Sequence, residues 1–136
     1  MKRRLAREIA LQTLFQFDFS DIDKNTALFA VCCERGVDES EEDLQYTHTL
    51  IDGVLANKEA IDAAIIKYAN NWKLERMASV ERNILRLAIY EMFYATEPLT
   101  ANIIINEAIE ISKIFGNDFS SKFINGILGN MANERK

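Results

Sequence analysis

A single proline, Pro98, and five glycines punctuate the 136 residues. That is too few turn-formers for a many-stranded sheet, and it leaves room for long helices. The two cysteines, Cys32 and Cys33, are neighbours in the chain. They cannot staple a fold, no metal-ligand spacing surrounds them, and the composition suits a reducing compartment. There is one histidine, His48. Glycine-rich phosphate loops, HExxH helices and paired-acid motifs are all missing. No run comes near the about 18 uncharged apolar residues that a bilayer span needs. The basic-then-apolar start is interrupted by Arg7, Glu8, Gln12 and Gln16, and no small-residue cleavage site follows, so a secretory signal is not expected. These absences together lead us to expect a cytoplasmic, non-enzymatic protein with no cofactor and no membrane partner.

Apolar residues make up 49% of the chain, enough for the core of one domain of ordinary size. The net charge of −5 is unevenly spread. Lys2, Arg3, Arg4 and Arg7 place four positive charges and no negative one in the first seven residues. Residues 18–43 then carry nine carboxylates against Lys24 and Arg35.

Apolar spacing of three and four residues predicts helices throughout. The first covers 3–17, with Ala6, Ala10, Leu14 and Phe17 on one face. A second covers 24–35 and ends near Gly36. A third covers 40–56, with Ser40 and Asp43 resembling a capping box and Leu44, Thr47, Ile51, Val54 and Leu55 on its buried side. A fourth covers 58–70 and ends at Asn70 and Asn71. The fifth, 79–94, is apolar over most of its girth, with Ser79, Arg82, Asn83, Arg86 and Tyr90 as a polar ridge, which suits the centre of a bundle. The sixth, 102–115, has Gly116 as a ready C-cap. The seventh starts at Asn117 or Asp118 and runs to about residue 132. Asn102–Asn106, with three isoleucines in a row, competes as a strand. However, Ile109, Ile111 and Ile114 continue at helical spacing and no second strand is available, so helix is preferred. The fold class is therefore all-α, with seven helices.

Candidate chemistry is sparse. His48, among threonines and apolar residues, reads more readily as a half-buried structural residue than as a general base. Cys32 and Cys33 have no base in a set relation to them and read as structural thiols. Glu107 and Glu110, with Lys113 nearby, read as a solvated helix face. The N-terminal segment is more informative. At about 100° per residue, Arg4, Arg7, Leu11 and Phe15 share a face, with Arg3 close to it. Guanidinium forks suit phosphate oxygens, and a ring suits an unstacked base. The same segment also fits a plain solvated basic start with Phe15 in the core, an interface with an acidic protein, or a weaker attraction to anionic lipid.

Four stretches resemble the N-utilisation substance B (NusB) family, in its order and at its intervals. They are RRLAREIALQTLFQF at 3–17, SVERNILRLAIYEM at 79–92, INEAIEISKIFG at 105–116 and SSKFINGILG at 120–129. The resemblance implies an all-α fold in two packed bundles, falling here at roughly 1–75 and 76–136. It also implies an antitermination factor that binds boxA RNA with ribosomal protein S10 and joins an antitermination complex on RNA polymerase, notably over ribosomal RNA operons. Carried over residue by residue, it places Lys2, Arg3, Arg4, Arg7, Phe15, Lys122 and Phe123 at the RNA and Glu81 on the S10 side. Phe15 stands where several relatives have a tyrosine. Phe119 stands near a position that is often charged or polar, and Ser121 replaces a frequent histidine or proline. Members of the family occur as monomers and as homodimers, and the sequence does not choose between the two. A helical adaptor that binds proteins but no RNA is the competing reading.

Overall fold

The structure, a computed structural model, describes residues 3–38, 44–69, 73–96 and 99–135. Among them are seven α-helices: α1 (Arg3–Phe17), α2 (Lys24–Arg35), α3 (Leu44–Ala56), α4 (Lys58–Tyr68), α5 (Ser79–Ile89), α6 (Ala101–Phe115) and α7 (Asp118–Arg135). A 3-10 turn, Leu74–Arg76, precedes α5, and a π-helical turn, Tyr90–Tyr94, continues it. The stretch Asn102–Asn106 lies within α6 as helix. The capping pair Ser40 and Asp43, the helix end at Asn70 and Asn71, and Pro98 lie outside the described residues.

The chain divides into two compact units, Met1–Asp52 and Gly53–Lys136, rather than near residue 75. The physical reason is that α4 packs with α5 and α7, and the 3-10 turn packs with α4, so both belong to the second unit.

In the first unit, Ala6, Ile9, Ala10, Leu11 and Leu14 of α1 are buried, as are Ala27, Leu28 and Val31 of α2. Each large aliphatic side chain removed from water contributes about 1.5–3 kcal/mol. Side chains then fix how the helices pair. Gln16 Nε2 donates to the Ala27 carbonyl at 3.1 Å. Arg35 donates to Glu8 and Gln12, both at 2.7 Å, and Thr47 Oγ1 of α3 donates to the Ala6 carbonyl at 3.1 Å. Helix α2 is stopped at both ends by named chemistry. Gly36 adopts φ 69°, where a side chain would be strained, and its N–H and that of Val37 reach back to Cys33 and Cys32 in a Schellman arrangement.

Asp23 caps the start of α2 by accepting the Thr26 N–H at 2.7 Å. That backbone bond, helped by the Thr26 side chain, holds its carboxyl below the ordinary range. A depressed carboxylate stabilises the fold above its unfolded pKa of about 3.9, and the contribution is lost as pH falls through the folded value. Asp23→Ala should therefore lower the melting temperature at pH 7, and the gap from the parent protein should close in strong acid. Thermal melts of both proteins at pH 7 and pH 2 test this.

In the second unit α5 contacts α4, α6 and α7, the central position expected for it. Its polar ridge turns inward at Ser79, Asn83, Arg86 and Tyr90, which are all buried. They form an internal row. Asn83 Nδ2 donates to the Ser79 carbonyl and hydroxyl, and Arg86 donates to Asn83 Oδ1. Arg86 also grips both carboxylate oxygens of Asp62 on α4, at 2.8 and 3.0 Å. Polarity faces inward here because a partner on another helix satisfies it. Three further departures are local. Leu55 is 42% exposed rather than buried. Regular α5 ends at Ile89, and the Ala95 N–H reaches Tyr90 O at 2.9 Å, a π-type bond. Gly116 receives the end of α6 through its N–H to Ser112 O at 2.8 Å, but with φ −122° it is not the left-handed cap that its type suggested.

Candidate nucleic-acid interface

Helix α1 begins with Arg3 and Arg4, both exposed. The Arg3 guanidinium lies 4.3 Å from the centroid of the Tyr46 ring, an arrangement that holds the side chain in place and leaves its donors for other acceptors. Further along, the expected open ridge is interrupted. Arg7 is only 5% exposed and Leu11 is buried, because that side of the helix also meets the core. Phe15, 37% exposed, returns to the surface. Its ring centroid is 4.9 Å from that of Phe19, which is more exposed still. Sequence reasoning missed Phe19 and Tyr46. The four-residue spacing of Phe15 and Phe19 was a usable signal, whereas Tyr46 under Arg3 had none, because it belongs to α3. Lys2 lies outside the described residues.

The second unit carries the other candidates. Lys122 is exposed on α7 and Phe123 is half-buried. Phe119, one turn earlier, stacks on Phe123 with centroids 5.6 Å apart and planes 18° from parallel. The α6–α7 turn that holds them is closed by reciprocal bonds. Asn117 Oδ1 accepts the Ser120 N–H at 3.0 Å, and Ser120 Oγ accepts the Asn117 N–H at 3.3 Å. This is a capping box with serine in the third position. Ser120 Oγ in turn donates to Glu81 Oε2 at 2.8 Å, and the Ser112 and Ser121 hydroxyls are 2.7 Å apart. Glu81, expected on the S10 side, is 9% exposed and turns its carboxylate to this bond within the second unit. The α1 group and the α7 group thus each stand on a defined helix, in different units.

Other chemistry is limited. Among the described residues no group of three His, Cys, Asp or Glu side chains could hold a metal ion. Cys32 is buried, Cys33 is exposed, and neither is in a disulfide. Among the described residues no helix is long and apolar enough to cross a membrane. The second unit also has an open groove of about 410 Å³ lined by Ala64, Tyr68, Ile89, Phe93, Tyr94, Met131 and Glu134. On its rim the Tyr68 hydroxyl donates to the Glu134 carboxylate, and that bond raises the phenol's pKa.

A helical fold among the described residues, an arginine-bearing first helix and exposed rings on two helices define a small helical protein with charge and aromatic surface open to solvent. Residues 4–133 match the NusB family, and the chain belongs to it. It is 47% identical over 136 residues to the transcription antitermination protein NusB of Bacillus pumilus (strain SAFR-032), covering 100% of this chain and 98% of that one. A solved structure of T. maritima NusB superposes with a TM-score of 0.86 at 35% identity, covering 98% of this chain and 92% of the other. A second, of the antitermination factors NusB and NusE in complex with dsRNA, gives 0.83 at 25% identity, covering 97% and 96%.

Proposed function

We propose that this protein is an RNA-binding transcription antitermination factor. On this reading it takes a boxA-type segment of nascent ribosomal RNA together with ribosomal protein S10. The pair acts in the cytoplasm within the antitermination complex on RNA polymerase, and the protein performs no catalysis. The observation that carries the reading is the exposed arginine start of α1, with Phe15 near the far end of the same helix and Phe19 in the turn just after it, in a chain of the NusB family. A NusB solved with NusE and dsRNA supports RNA and a protein as joint partners. Arg3 and Arg4 supply charge for phosphates, while rings suit bases freed from a stack. The overall charge of −5 is compatible with this, since a small basic patch can hold RNA while acidic surface meets a basic protein.

The test is a salt titration of binding to boxA RNA and to a scrambled RNA, with and without S10. Arg3→Ala and Arg4→Ala should each weaken binding to both RNAs and flatten the salt dependence by about 0.7 in log–log slope, the loss of one single-strand phosphate contact. Phe15→Ala should weaken binding and leave the slope nearly unchanged. Preference for boxA should be modest alone and larger with S10, because four charges mainly read phosphates. If neither RNA binds under any condition, the basic end serves an acidic protein and the adaptor reading replaces this one.

A further inference from the structure

We propose that the groove of the second unit is a docking site for an arginine side chain of a partner protein. Its residues are not among those assigned above to RNA or to S10, so the proposal stands apart from that reading. The groove has about 410 Å³ of space, within the roughly 300–1,000 Å³ of ordinary ligand sites. Tyr68 of α4 and Phe93 and Tyr94 of the π-helical turn bring three aromatic rings to it, and Ile89 and Met131 add an aliphatic wall. Among the described residues Glu134 of α7 is the one charged group in the lining, and its side chain is 61% exposed. Rings, an aliphatic wall and a single carboxylate suit a cation carried on an apolar stem. A guanidinium suits them better than an ammonium. It is planar, holds water less tightly, stacks on rings and offers a carboxylate two parallel donors.

The chain already places a cation against two of these groups. Lys67 is not part of the lining, yet its Nζ lies 5.2 Å from the centroid of the Tyr68 ring and 3.9 Å from Glu134 Oε2. The Lys67 side chain is 68% exposed, so both contacts are held loosely and yield to a stronger donor. An outside arginine would therefore meet a carboxylate and a ring already set for a cation. The source is a protein rather than the free amino acid, because among the described residues the lining has no cation to receive an α-carboxylate. Arginine and tyrosine are also among the residues that carry most of the binding energy where proteins meet.

The experiment titrates the isotope-labelled protein with N-acetyl-arginine methylamide and follows the backbone amide signals by NMR. The same compound built on lysine, the one built on uncharged citrulline, and free arginine are the comparisons. The arginine compound should shift signals of α4, the π-helical turn and the end of α7, and should bind more tightly than the other three. Glu134→Gln should weaken it roughly 2- to 5-fold, the scale of an exposed ion pair. Tyr94→Ala should weaken it by a similar factor, through loss of a ring face. Lys67→Gln should instead tighten it roughly 2- to 5-fold, because the resident cation no longer competes for Glu134. That variant changes one exposed side chain, so a folding defect does not confuse the result. Unchanged or weaker binding by Lys67→Gln overturns the proposal. Equal binding of the citrulline compound also overturns it, because charge then plays no part. Tighter binding of free arginine does the same, because the groove then serves a small molecule.

Discussion

Replacing Asp62 with alanine should cost about 3 kcal/mol of stability, and Arg86→Ala should cost at least as much. The pair is bidentate, at 2.8 and 3.0 Å, and the Arg86 side chain is only 7% exposed. Removing one partner of a buried pair leaves the other charge out of water without its opposite charge, at a typical cost of about 3–5 kcal/mol. Asp62 retains 16% exposure, which puts its own removal at the lower end. Arg86 also donates to Asn83, so its loss removes a hydrogen bond from a second buried polar group. The double variant Asp62→Ala/Arg86→Met should be far less damaging than the sum of its parts, because no charge is then left unpaired. Urea unfolding of the four proteins in the cycle measures this. Additive losses would show that the pair is not coupled as the geometry requires.

Gly53→Ala should also destabilise, by about 1–3 kcal/mol, as overpacking does in a filled interior. The substitution would ordinarily help a helix by about 1 kcal/mol. At this position, however, the new Cβ falls 2.1 Å from Tyr90 Cε1 and 2.3 Å from Cζ. The Tyr90 ring is buried, so it cannot simply swing into solvent. In a Tyr90→Ala background, itself destabilised by loss of the buried ring, Gly53→Ala should cost less than it does in the parent protein. Melting temperatures of the single and double variants decide the matter, and a Gly53→Ala protein as stable as the parent would contradict the close packing.

The helices and their order were legible because apolar residues recur every three or four positions, and that recurrence is a local property of the chain. The preference for helix at Asn102–Asn106 came from the same source, since Ile109, Ile111 and Ile114 extend the pattern. What spacing could not show was the inside of α5. A polar residue reads as solvent-facing unless its partner is known, and the partner of Arg86 is Asp62 on the preceding α-helix. Arg7 is buried for the related reason that its face of α1 is shared with the buried Leu11. The arginines and rings of the candidate interface were visible as residue types. Their partners were not, because Tyr46 reaches Arg3 and Glu81 reaches Ser120 through tertiary packing. Where the two units divide was equally hidden, since the division falls inside α3.

The groove of the second unit has a wall set by a count of residues. Ile89, Phe93 and Tyr94 all line it. On a regular α-helix Phe93 stands above Ile89, but a residue five positions on points about 140° away. Here the turn holds one residue more, with Ala95 bonded back to Tyr90, and Tyr94 comes round to the same wall. The same amino acids wound at ordinary pitch would keep their helix and aim Tyr94 elsewhere. The shape of this concavity therefore depends on a single extra residue in the turn as well as on the aromatic side chains that line it.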